Sequence, residues 1–135
     1  EEKEKPSLQK GQAIIKIKRI GICGTDLHAF EGTQPFFEYP RILGHELAGE
    51  LVEWDGASGF AIGEKVSFIP YFHCGECIAC RSGLPNCCVH IKVCGVHVHG
   101  GFAEYLVLHE ARYARSKARE LASQLHGRIL GASVV

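Results

Sequence analysis

The sequence predicts a mainly β domain, an antiparallel barrel or sandwich, and three observations carry that expectation. Short stretches rich in β-branched and aromatic residues recur along the chain, at Ile15–Lys18, Leu47–Trp54, Lys65–Tyr71, Ile91–His99 and Phe102–Leu108. Glycine-bearing turns separate them, among them Asp55-Gly56, Ser58-Gly59, Ile62-Gly63 and Gly100-Gly101. The 135 residues, 46% of them hydrophobic and with no net charge, suffice for one domain with a core of its own.

Residues 1–10 are charged, include Pro6 and show no apolar period, so they read as a mobile lead-in. Ile15-Lys16-Ile17-Lys18 alternates apolar and polar side chains, the pattern of a half-buried strand. It feeds a loop, Gly21–Glu46, rich in glycine and ending on a strand. The loop carries Cys23, His45 and Glu46, which offer the donor atoms zinc accepts; three protein ligands leave a fourth position for water or substrate, as catalytic zinc requires. The plainer reading of the same residues is a buried thiol and a core histidine satisfied by its neighbours.

Further along, HCGECIACRSGLPNCC sets Cys74, Cys77, Cys80 and Cys88 in a C-x2-C-x2-C-x7-C array. Four thiolates so close can wrap one tetrahedral ion at Zn–S distances of about 2.3 Å. Such a closed site braces a lobe, residues 74–88, and does no catalysis. An iron–sulfur cluster and a thioredoxin-like redox pair are the alternatives, although ferredoxin spacings differ and the redox motif expects one CxxC near a βαβ unit. Cys87 reads as a neighbour of the array and Cys94 as a small core residue. Val96-His97-Val98-His99 puts two imidazoles on one face of the expected Ile91–His99 strand, where packing or exposure explains them better than a third site does.

Several classes are excluded. Basic residues show no excess, which argues against a nucleic-acid partner, and no apolar run approaches the roughly 20 residues of a membrane span. Seven cysteines, an odd number in tight local spacings, suit thiolate ligands in a reducing compartment better than a secreted disulfide framework, so a cytoplasmic location is expected. No methionine occurs, so the chain reads as a fragment or a processed product.

Taken together, GICGTDLH and QPFFEYPRILGHELAG resemble the catalytic domain of the zinc-dependent medium-chain alcohol and polyol dehydrogenases, nearest to the branch acting on sugar alcohols and sugar acids. The resemblance covers Lys10 to Leu108 and makes the fold more specific: a GroES-like β-barrel with short helices and a zinc-binding lobe, spanning residues 11–108. It implies two zinc ions, a catalytic one at Cys23, His45 and Glu46 and a structural one at Cys74, Cys77, Cys80 and Cys88. It further implies that Thr25 and His28 relay the proton released by an alcohol, and that Asp26 holds a ligand imidazole in the right tautomer. The implied reaction oxidises a secondary alcohol of a polyol or sugar acid to a ketone with NAD or NADP, and the resemblance allows a homo-oligomer for the complete enzyme. No G-x-G-x-x-G follows a strand, so a dinucleotide-binding Rossmann domain is not expected within these residues. Residues 109–135 depart from the family; Ala114, Ala118, Leu121 and Leu125 form a stripe at helical spacing in a basic tail, which could be a shortened junction to such a domain. A second reading is a non-enzymatic, zinc-stabilised β-barrel fragment.

Overall fold

The fold assembles on its most isoleucine-rich strand, β1 (Gln12–Gly21), whose β-branched side chains suit a pleated surface. In the computed structural model, which describes residues 4–35, 37–56 and 60–109, Ala13, Ile14 and Ile15 of β1 are buried. Antiparallel neighbours flank it on both sides, β2 (Glu46–Trp54) on one and β6 (Tyr105–His109) on the other. A short β3 (Lys65–Ser67) joins the outer side of β2, so the sheet order is β3-β2-β1-β6. A separate ribbon pairs β4 (Tyr71–Phe72) with β5 (Lys92–Val93). Between them lie α1 (Gly24–Phe30), α2 (Ile78–Arg81) and a 3-10 turn at Pro85–Cys87. The fold is mainly β with short helices, as expected.

One core runs from the sheet to the ribbon. Ala13 and Ile15 of β1, Leu47 and Leu51 of β2, and Leu106 and Leu108 of β6 pack with Phe68, Phe72 and Cys94. Cutting such a buried leucine back to alanine typically costs about 2–5 kcal/mol, so this cluster accounts for much of what holds the site-bearing loops in place. On the outer face, Lys5 pairs with Glu53, and the ammonium groups of Lys5 and Lys16 stand 5.3 and 5.7 Å from the Tyr105 ring centre. These exposed contacts are worth little each, yet they lay part of the expected lead-in along the sheet.

Two expected strands are shorter than their composition suggests. Lys65–Tyr71 breaks before Pro70, which has no N–H for a ladder; its carbonyl accepts from the Cys94 amide at 2.9 Å. Ile91–His99 supplies only β5, because Gly95 turns the chain at φ +76° and the amides of His97 and Val98 fold back onto the Val93 carbonyl at 2.9 and 3.3 Å. His97 and His99 therefore do not share a strand face. Instead His97 Nδ1 accepts from the Val93 amide (3.1 Å) and His99 Nδ1 from the Ile42 amide (3.2 Å). The expected helical tail lies outside the described residues, apart from His109 at the end of β6.

Candidate metal centres

The first centre follows from the β1–β2 register. Gly21, the last residue of β1, is paired with Glu46, the first of β2. The chain leaving β1 therefore meets the chain entering β2, and Cys23 Sγ comes to 3.0 Å from His45 Nε2. A Cβ on Gly21 would lie 2.5 Å from Glu46 Oε2 and 2.9 Å from its Cβ, so the approach demands a glycine.

Asp26 ties this junction together. It sits in the first turn of α1, only 4% exposed, and its carboxylate accepts from the amides of Cys23 (3.0 Å) and Gly44 (3.3 Å). Its Oδ1 is also 3.5 Å from His45 Nδ1, close enough for an ion pair but too far for a good hydrogen bond. That buried Nδ1 has no hydrogen-bond partner. Behind the histidine, the backbone of residues 42–44 is laced to residues 100–102 by bonds of 2.7, 2.9 and 3.0 Å. Gly44 has φ +96°, and a Cβ there would strike the Phe102 ring at 2.2 Å.

Donor atoms of Cys23, Asp26 and His45 lie within 4.8 Å of one another. The donors fit zinc: a thiol and an imidazole face each other, and a buried carboxylate addresses the far ring nitrogen, the arrangement usual for metal-bound histidine. Glu46 is not in this group; its side chain is exposed and lies over Gly21. Thr25 and His28 are three residues apart on α1, the first half-buried and the second exposed. The sequence reading missed Glu31 and Thr33, whose side-chain oxygens approach His28 Nδ1 at 3.6 and 3.4 Å.

The second centre is sulfur alone. Cys74, Cys77, Cys80 and Cys88 bring their thiols within 4.8 Å of one another. Backbone amides aim at these sulfurs: Cys77 N–H at Cys74 (3.3 Å), Cys74 N–H at Cys88 (3.3 Å) and His90 N–H at Cys88 (3.4 Å). Such donors favour thiolate. The Cys77 thiol is pulled down to about 6, chiefly by the Cys80 and Val89 amides. Desolvation, then the hydrogen bond with Cys77, pushes Cys80 up to about 12. Neighbouring thiols thus give up a first proton readily and hold the second, a conflict that a divalent cation removes by replacing both. Cys88 is buried in the group while Cys87 is exposed, and Cys94, 1% exposed in the core, has its thiol pushed up to about 12 by burial.

With both centres in view, the comparisons with known proteins define the class. Residues 9–118 match the alcohol dehydrogenase GroES-like domain family, and the chain belongs to it. The match runs past Leu108, where the resemblance was expected to stop, into residues outside those described. L-galactonate-5-dehydrogenase of Escherichia coli K12 is 52% identical over 106 residues, covering 78% of this chain and 31% of that protein. Among solved structures, galactitol-1-phosphate dehydrogenase from Escherichia coli superposes with a TM-score of 0.75 at 30% identity, over 83% of this chain and 33% of that one. A zinc-binding dehydrogenase from Sinorhizobium meliloti 1021, bound to NADP, gives 0.71 at 34% identity, over 79% and 31%. The chain therefore spans about a third of the length of these relatives.

Proposed function

We propose that this chain is the metal-binding catalytic portion of a zinc-dependent oxidoreductase, one that oxidises a secondary alcohol of a polyol or sugar acid to a ketone with NAD or NADP. The observation that carries the reading is the meeting of Cys23 Sγ and His45 Nε2 over a buried Asp26. Cys23 and His45 would hold the catalytic zinc, and Glu46, whose side chain lies over Gly21 at the start of β2, would have to swing across to serve as the third ligand. When bound, zinc acts as a Lewis acid that eases loss of the substrate hydroxyl proton near neutral pH. Asp26 faces His45 Nδ1 at 3.5 Å and, drawing in as the metal binds, would accept its N–H and so keep Nε2 free for the metal. Thr25 receives the substrate proton at its hydroxyl and passes its own to the exposed His28, which delivers it to water.

Cys74, Cys77, Cys80 and Cys88 would close around a structural zinc, which leaves no open position for chemistry and couples metal binding to folding of the lobe. In the complete enzyme the nicotinamide cofactor, the small polyol or sugar-acid substrate and a homo-oligomeric assembly belong to this reading, as does a cytoplasmic location without nucleic-acid or membrane partners. No helix among the described residues is long and apolar enough to cross a membrane. Elemental analysis tests the reading: about two zinc ions per chain are expected, one lost in Cys23→Ser and the other in Cys77→Ser. One ion that survives Cys23→Ser and disappears in Cys77→Ser would favour the non-enzymatic, zinc-stabilised barrel.

A further inference from the structure

The four-cysteine lobe has a second chemical capability besides holding a metal. Its sulfurs fall into two close pairs: Cys74 and Cys88 are 3.5 Å apart, Cys77 and Cys80 also 3.5 Å, while Cys74 and Cys80 are 4.0 Å apart. A disulfide needs about 2.05 Å, so each pair must close by only about 1.5 Å. Exposure orders the events. Cys74 is exposed and reachable by a small oxidant, whereas its partner Cys88 is buried and positioned to answer from within. We propose that the lobe is an oxidation site, at which peroxide joins Cys74 to Cys88 and Cys77 to Cys80 and so expels the metal.

The chemistry balances with hydrogen peroxide as the only added reactant. The Cys74 thiolate attacks one peroxide oxygen, the O–O bond breaks, and a sulfenic acid and hydroxide form. The Cys88 thiolate then attacks the sulfenic sulfur, the S–S bond forms and a second hydroxide leaves. The same two steps at Cys77 and Cys80 consume a second peroxide, so four thiolates and two peroxides give two disulfides and four hydroxides. Disulfide sulfur is a poor ligand, and Zn2+ departs. Backbone amides point at both sulfurs, from Cys77 to Cys74 and from Cys74 and His90 to Cys88, and hold this pair in place. Cys87, exposed beside Cys88, is a spare thiol that could scramble the pairing, which makes it the residue to remove in a control.

This inference rests on the four cysteines holding zinc, and its test separates the two ideas. The zinc-loaded chain is titrated with hydrogen peroxide in the presence of a metal indicator, quenched in acid, alkylated and digested with trypsin. Cleavage after Arg81 leaves Cys74, Cys77 and Cys80 on one peptide and Cys87 and Cys88 on the next. Expected are release of the lobe zinc, a cross-link between the two peptides through Cys74 and Cys88, and an internal Cys77–Cys80 bond, all reversed by dithiothreitol. Cys87→Ser should give the same pattern. Release with sulfinic acids in place of the cross-link, or a cross-link through Cys77 or Cys80, would overturn the proposal. Running the pairing test also on chelator-treated chain separates the outcomes: protein that never held zinc would defeat the metal reading, while the pairing would still stand or fall by itself.

Discussion

Gly21 and Glu46 are opposite partners at the end of the β1–β2 ladder, and their pairing brings together Cys23 and His45 across 22 residues of sequence. The partnership is tight enough that a methyl group on Gly21 would run into the Glu46 carboxylate at 2.5 Å. Gly21→Ala should therefore push Glu46 and the neighbouring His45 away from Cys23 while leaving the remote cysteine lobe alone. The expected result is a fall in zinc content from about two ions per chain to about one, with the lobe ion retained. Unchanged content would mean that Glu46 moves aside freely and that the register does not set the site.

Asp26 lends itself to a finer test. Asp26→Asn keeps the shape but replaces the charge that faces His45 Nδ1 and accepts from two backbone amides. Partners of this kind typically contribute about 10–100-fold to metal affinity. Competition with a chromophoric chelator should show a loss in that range at the first centre only. An equal loss at both centres would point to general unfolding.

Much of this arrangement was legible in the sequence. The alternation in Ile15–Lys18 and the strand-like stretch Leu47–Trp54 marked β1 and β2. Cys23 and His45 stood out by donor type, while the choice of Cys88 over Cys87 came from the family resemblance. What the sequence could not disclose was set by tertiary contacts. The positive φ of Gly95 converts an apparent strand into a turn, and that turn engages His97 through the Val93 amide. Glu46 matches a ligand by composition, yet its side chain lies over Gly21, outside the Cys23–Asp26–His45 group, since neighbouring residues at a strand start point to opposite faces.

A contrast between Cys80 and His28 separates the structural centre from the relay. Cys80→Ser removes one ligand of a closed set and should lower the melting temperature markedly. His28→Ala removes an imidazole whose side chain is 64% exposed and should leave the melt almost unchanged. Equal destabilisation by the two would make His28 a packing residue and end the relay assignment.

The thiol shifts in the lobe predict a pH dependence for the metal-free chain. The fold favours the Cys77 thiolate, so its contribution is complete above the ordinary value of 9.0 and is lost as pH falls through about 6. For Cys80 the fold favours the thiol, so that contribution is complete below 9.0 and is lost as pH rises through about 12. The two windows meet near pH 9, where the metal-free lobe should exchange its amide hydrogens least after correction for intrinsic rates. Alkylation at pH 7 should reach Cys77 early and spare Cys94, whose thiol burial holds up near 12. Protection that is flat from pH 6 to pH 9, or early labelling of Cys94, would contradict these assignments.

The final prediction concerns turnover by the 135-residue chain. Hydride transfer needs a nicotinamide held against the substrate carbon, and such orientation can lower a barrier by ~7–11 kcal/mol. The phosphates of a dinucleotide are usually held by a glycine-rich turn between a strand and a helix. Here Gly44, Gly95 and Gly100 are committed elsewhere: they pack on one another behind His45, where a Cβ on Gly100 would meet the Gly44 carbonyl at 2.3 Å. The chain should accordingly show no saturable NADH binding by fluorescence, and no reduction of NAD or NADP with a panel of polyols and sugar acids, even with zinc in place. The same panel run on the longest polypeptide in which the chain occurs should show turnover that Cys23→Ser abolishes. Saturable, Cys23-dependent turnover by the 135 residues alone would overturn this division of labour and require a nucleotide site formed by these residues or by a partner chain.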